Sequence, residues 1–234
     1  NLKQIEIKRI FHSCFFIKYP DGTTVLTDPY FCNEMPSCYK FLEEPPLKKE
    51  DLPKIDVILI SHEHFDHFEK DSVDYLCNKY KSIVVAPKEV TKQLTLSRQQ
   101  ERTVNVDDEI IVATIRIKTV TAQHHQSFYP IGFILEKDGI AIYFAGDTTN
   151  LPPINKKIDV ALMPCGGIFT TDIFEFISMA RQLKCTTAIP MHYNTFDMIK
   201  IDINKLKDRA EEKLKNTKVV FLNNNEIFLC NCPN

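Results

Sequence analysis

The chain predicts an α/β fold, a four-layer αββα sandwich, and two observations lead there. Strand-prone runs fill two stretches of the sequence, and each stretch gives way to segments of helical spacing. Two sheets packed face to face with helices outside them are the economical way to bury both patterns. Several apolar runs also end abruptly in histidine or aspartate, as strands do when a site lies on the carboxyl edge of a sheet. The 234 residues are expected to form one domain, 1–234, long enough to bury a full core.

Residues 5–10, 14–19 and 23–27 are short β-prone runs, the last two joined by a Pro20-Asp21-Gly22 turn. Residues 31–51 mix Cys, Pro and Lys and predict a long loop over the site. Phe31, Met35, Tyr39 and Phe41 in that loop suit a pocket wall, a subunit contact or plain packing, and receive no assignment. Val57-Ile58-Leu59-Ile60 is a continuous apolar run, the pattern of a buried parallel strand. Helical spacing follows over 68–80, a strand over 83–86, and a helix over 87–96 with Pro87 in its first turn. One or two β runs occupy 103–121. Residues 132–136 and 140–145 predict a hairpin around Lys137-Asp138-Gly139. A strand over 158–163, a helix over 171–183, a strand over 186–190 and an amphipathic helix over 203–214 come next. Short β runs at 219–222 and 227–229 close the chain.

An apolar content of 44% and a charged content of 26% are ordinary for a globular chain. A net charge of −2 without any dense Lys/Arg tract gives no pull toward nucleic acid, so none is expected as a partner. No apolar run approaches the ~18 residues of a membrane span, and the amino terminus has no secretory pattern, so no membrane anchor is expected. The eight cysteines lack framework spacing; Cys77, Cys165 and Cys185 sit in apolar segments, as reduced thiols do. Cys230 and Cys232 have no second ligand pair for a zinc clip. The expectation is a cytoplasmic, reduced protein acting on a small-molecule substrate, with a homo-oligomer left open.

The chemistry concentrates in Ser61-His62-Glu63-His64-Phe65-Asp66-His67, which holds three of the seven histidines. In an extended loop His62 and His64 project to the same side and can share one cation. Asp66 and His67, a step further on, can bind a second. Imidazole nitrogens and carboxylate oxygens suit zinc, and also manganese or iron. Three further candidates follow buried strands: His124 in Ala122-Gln123-His124-His125, Asp147 in Gly146-Asp147-Thr148, and His192 in Pro190-Met191-His192-Tyr193. One such residue alone is more often a satisfied polar group; three are better explained by one shared site.

These motifs resemble the metallo-β-lactamase fold over nearly the whole chain. His62-Glu63-His64-Phe65-Asp66-His67 is similar to its metal signature, Thr27-Asp28-Pro29 to its second-strand aspartate motif, and Gly146-Asp147-Thr148 to its bridging aspartate. Within the superfamily, His12-Ser13-Cys14, Ala122-Gln123-His124 and Pro164-Cys165-Gly166-Gly167 look like the branch of ascorbate 6-phosphate lactonases and N-acyl phosphatidylethanolamine phospholipase D. The resemblance implies one metal on His62, His64 and His124, a second on Asp66, His67 and His192, and Asp147 between them. His124 is preferred to His125 because it takes the family's place after Ala-Gln.

Two divalent ions are implied, Zn2+ first, with Mn2+ or Fe2+ as alternatives, able to share a hydroxide. Asp66 is then expected to orient that hydroxide. Asp28 is expected either to hold a ligand imidazole from behind or to start a turn before Pro29. His12 is expected to face substrate or to support the site. Gly166 and Gly167 offer backbone N–H groups to an anion or make a plain turn. The implied function is metal-dependent hydrolysis of an ester, lactone or phosphodiester of a small anionic molecule. The alternatives are a phosphodiesterase acting on lipid or nucleotide, and a non-enzymatic metal or ligand sensor on the same fold. A complete ligand set argues against the sensor, and His64 in place of Glu argues against the di-iron redox branch.

Overall fold

The computed structural model describes residues 3–32 and 35–233; Asn33 and Glu34, within the 31–51 loop, lie outside the described residues. The first sheet is built from β1 (Gln4–Phe11), β2 (Cys14–Lys18), β3 (Thr24–Thr27), β4 (Val57–Leu59), β5 (Ile83–Ala86) and β6 (Glu101–Thr103), with helices α1 (Lys70–Tyr80) and α2 (Lys88–Thr91) between its later strands. The second contains β7 (Glu109–Val112), β8 (Ile115–Thr121), β9 (Ile131–Lys137), β10 (Ile140–Phe144), β11 (Val160–Pro164), β12 (Thr187–Met191) and β13 (Lys218–Val219), with α3 (Ile173–Leu183) and α4 (Ile203–Lys213) interspersed. The last strand, β14 (Ile227–Asn231), returns to the first sheet and pairs with β1.

Period-two alternation makes the layers. In β4 and the residue after it, Val57 and Leu59 join the core between the sheets with Phe133, Leu135 and Ile142. Ile58 and Ile60 point the other way, into a second core with Val73, Leu76 and Cys77 of α1. On the far side α3 and α4 bury Phe176, Ala180, Leu206 and Ala210. Asp172 starts α3 by accepting from the Phe174 and Glu175 N–H groups, with Glu175 reaching back as a capping box. The predicted layered sandwich is the observed architecture.

Strand direction positions the site. β1 runs antiparallel to β2 and β2 to β3, while β3, β4 and β5 are parallel. β1, β3 and β4 therefore end on one edge. In the second sheet β8, β9 and β10 alternate and β10, β11 and β12 are parallel, so β8, β10 and β12 also end together.

Two local expectations change and one becomes definite. The helix placed over 87–96 is only Lys88–Thr91; turns then carry the chain to β6, whose Glu-Arg-Thr side chains carry no apolar pattern. The run at 103–121 is a hairpin of β7 and β8 turning at Ala113 and Thr114, both with positive φ. The helix expected from 68 begins at Lys70, because Phe68 N–H still bonds back to His64 and Glu69 N–H to Pro29. Among the described residues no helix is long and apolar enough to cross a membrane, and all eight cysteines are free.

Candidate metal centre

Every predicted site residue follows the end of a strand on that shared edge: His12 after β1, Asp28 after β3, His62 to His67 after β4, His124 after β8, Asp147 after β10 and His192 after β12. His12, Asp28 and His192 adopt left-handed backbone, with φ of 57°, 33° and 56°. Such conformations cost on the order of 1 kcal/mol or more each and persist where packing dictates them. Here they turn the chain sharply, so that each side chain faces the rim and not the next strand.

The candidate ligand atoms form two groups, His62, His64, His124 and Asp147 in one and His12, Asp66, His67 and His192 in the other, each within 4.8 Å of one another. Asp147 links them. Its Oδ2 lies 3.6 Å from Nε2 of both His62 and His124, 3.2 Å from His67 Nε2 and 3.3 Å from His192 Nε2. Asp66 Oδ2 lies 3.4 Å from Nε2 of His67 and of His192. His64 Nδ1 and His124 Nε2 approach to 3.1 Å. His125 is exposed and outside both groups.

Hydrogen bonds at the far ring nitrogens choose which atom three of the imidazoles offer, while Nδ1 of His124 and of His192 has no partner. His67 Nδ1 donates to Asp28 Oδ2 at 2.7 Å. His62 Nδ1 donates to Ser61 Oγ at 2.8 Å, and that hydroxyl donates to Asp28 Oδ2 at 2.6 Å. His64 Nε2 donates to the Gln126 carbonyl at 3.0 Å. So His62 and His67 present Nε2, and His64 presents Nδ1. His12 has a different place. It is fully buried, with Nε2 donating to Asp66 Oδ2 at 2.8 Å and Nδ1 accepting from Thr195 Oγ1 at 2.7 Å. It stands behind Asp66 and does not line the cavity over the centre.

Electrostatics divide the two groups. Burial, aided by the charge of His67, holds His62 well below its ordinary pKa, and burial lowers His124 as well; both are neutral imidazoles. Burial works against charge on His67 and His192 too, but the Asp147 and Asp66 carboxylates outweigh it. His67 is raised well above its ordinary value and His192 to about 9. In return, and against their burial, Asp66 and Asp147 are held well below the usual carboxylate range. Burial and the nearby His192 push His12 down to about 3, so it is neutral.

His62 Nε2, His67 Nε2, His192 Nε2 and Asp147 Oδ1 are buried without hydrogen-bond partners. Unpaired buried polar atoms are costly, and here they converge on common points. Nitrogen and carboxylate donors in that arrangement fit divalent metal ions. Four residues escaped the sequence reading. Ser61 and Thr195 relay hydrogen bonds, and Gln126 acts through its main chain. Glu63 braces the loop after His124 by accepting from Ser127 Oγ and Phe128 N–H. Only Ser61 and Glu63 had a signal, their place inside the histidine motif. The Gly166-Gly167 pair makes a turn: Gly167 N–H donates to Thr171 O, and a Cβ on Gly166 would meet the His192 carbonyl oxygen at 2.1 Å.

Comparison with known proteins agrees with this picture. A family model described as a beta-lactamase superfamily domain matches residues 6–192. The UPF0173 metal-dependent hydrolase of Hyperthermus butylicus is 31% identical over 230 residues, covering 93% of this chain and 96% of the relative. That of Methanobrevibacter smithii is 31% identical over 248 residues, covering 98% and 99%. A solved structure, a metallo hydrolase of the archaeon Ignicoccus hospitalis, superposes with a TM-score of 0.81 at 26% identity, covering 97% of this chain and 98% of that one.

Proposed function

This chain belongs to the metallo-β-lactamase superfamily, and from that premise we propose that it is a metal-dependent hydrolase with a dinuclear centre, zinc being the first candidate metal. His62, His64 and His124 would hold one ion, Asp66, His67 and His192 the other, and Asp147 both. The observation that carries this reading is Asp147 Oδ2 within 3.2–3.6 Å of four imidazole nitrogens drawn from both groups. Divalent metal bound there supplies Lewis acidity and acidifies water toward a pKa of ~7.

The chain's own residues supply the rest. Asp66 lines the cavity while its Oδ2 is fixed by His12. It is placed to orient an attacking water. Neutral His12, anchored by Thr195, keeps the carboxylate in that pose. Ester, lactone and phosphodiester bonds are all within reach of this chemistry. Among the described residues lining the cavity there is no lysine or arginine, so any pull on an anionic substrate would come from the metal ions.

The test is a metal analysis followed by a panel of esters, lactones and phosphodiesters before and after chelation. About two metals per chain and chelator-sensitive hydrolysis are expected; a metal-replete preparation containing none sinks the reading. Asp147→Ala should impair both sites, whereas His125→Ala should leave metal content intact. Asp66→Asn keeps shape but loses charge, so kcat should fall on the order of 10²-fold with KM little changed.

A further inference from the structure

Above the centre lies a cavity of about 220 Å³ whose walls come from six separate segments. One side is the ligand cluster. The other is aromatic: Tyr39 from the 31–51 loop, Phe65 from the histidine motif, Phe169 after β11 and Phe196 after β12. Tyr39 lies nearly parallel to Phe196 and to Phe65, with centroids 5.3 and 5.9 Å away and 22° between planes in each case. Phe169 meets Tyr39 edge-on at 6.4 Å. Apart from the candidate ligands, Gln126 and the Tyr39 hydroxyl are the only polar side-chain groups on the lining among the described residues.

We propose that the non-reacting part of the substrate is a neutral, flat aromatic group seated on Tyr39, Phe65, Phe169 and Phe196, next to the bond to be cleaved; this rests on the hydrolase reading above. Tyr39, Phe65 and Phe169 are only half-buried. Three partly wetted rings at one cavity leave apolar surface that a ligand ring can cover, in the offset or edge-on geometries such rings favour. A charged group set against these rings, on the side away from the candidate ligands, would lose water and meet no lysine or arginine among the described lining residues. The space is also small beside the ~300–1,000 Å³ of drug-sized ligand sites, enough for one ring and a reacting group. Phe169 and Tyr39 then set specificity, because they are the wall residues outside the histidine motif that remain half-buried.

The experiment compares three methyl esters on the zinc-loaded protein: methyl phenylacetate, methyl propionate and methyl 4-carboxyphenylacetate. All release methanol, so the leaving group is constant. The expected kcat/KM for the phenyl ester exceeds that for each of the others by on the order of tenfold. Phe169→Ala and Tyr39→Ala should each draw the phenyl-to-propionate ratio toward one with metal content per chain unchanged. Hydrolysis without ring preference, or a preference that neither variant alters, overturns the inference and leaves the hydrolase reading standing. If no ester is cleaved, calorimetry with phenylacetamide, propionamide and 4-carboxyphenylacetamide decides. Selective binding of phenylacetamide that Phe169→Ala removes supports the ring site and rules out these esters alone as the bond cleaved; equal or absent binding of all three overturns the inference.

Discussion

Asp28 accepts from Ser61 N–H, Ser61 Oγ–H and His67 Nδ1–H while fully buried, and through Ser61 it also fixes His62. One carboxylate thus orients a ring in each half of the centre. Asp28→Ala should weaken metal retention at both sites, by about 10–100-fold, measured by competition with a chelator; weakening of one site alone would contradict the hydrogen-bond relay. His192 gives a pH signature. Its pKa in the metal-free fold, about 9, is raised above the ordinary 6.5, so its proton stabilises the fold fully below pH 6.5 and that contribution is lost as pH rises through 9. Metal-free protein should melt at a lower temperature at pH 9.5 than at pH 6.5, and zinc-loaded protein should lack that drop, since metal replaces the proton. The residues that gather at the candidate centre were legible in the sequence because each is an ionisable residue that follows a strand end. Thr195 and the Gln126 carbonyl were not, since a hydroxyl in a loop and a main-chain oxygen look alike at any position.

Elements matter here through the turns that end them. The loop after β11 passes so close to the end of β12 that Gly166 abuts the His192 carbonyl. Gly166→Ala should therefore move His192 and cost about 1–3 kcal/mol as overpacking does. Chemical denaturation and metal content should both register it, and normal metal content in the variant would show that the turn can yield. Strands and helices with strong periodicity were readable: β4 from its apolar run, β9 and β10 from the Asp138-Gly139 turn, α3 from its spacing. β6 was not, because it is three polar residues paired to β5 by backbone alone. The 87–96 helix failed after one turn, where the Gln93 and Leu94 N–H groups bond back only three residues, to Val90 and Thr91, and the chain must reach β6.

At the scale of the molecule, two separate cores hold the sheets in place. Ile58 belongs to the core under α1 and Ile142 to the core between the sheets. Ile58→Val and Ile142→Val should each cost about 0.5–1.5 kcal/mol, and the double variant should show their sum to within ~0.5 kcal/mol. A clear excess in denaturant titrations would mean that the cores act as one. The convergence of β1, β3, β4, β8, β10 and β12 on one rim could be inferred from ligand chemistry at their ends. The pairing of β1 with β14 had no comparable signal, since both are short β runs with many acceptable partners. That pairing has a consequence for the protein's synthesis. Residues 4–8 are synthesised long before their partner at 227–231, so a growing chain carries that edge of the first sheet unpaired through the elongation between them. Its histidine motif also emerges well before His124, Asp147 and His192, so nascent chains hold half a centre. On the hydrolase reading, capture of metal in the finished geometry therefore waits until His192 has emerged.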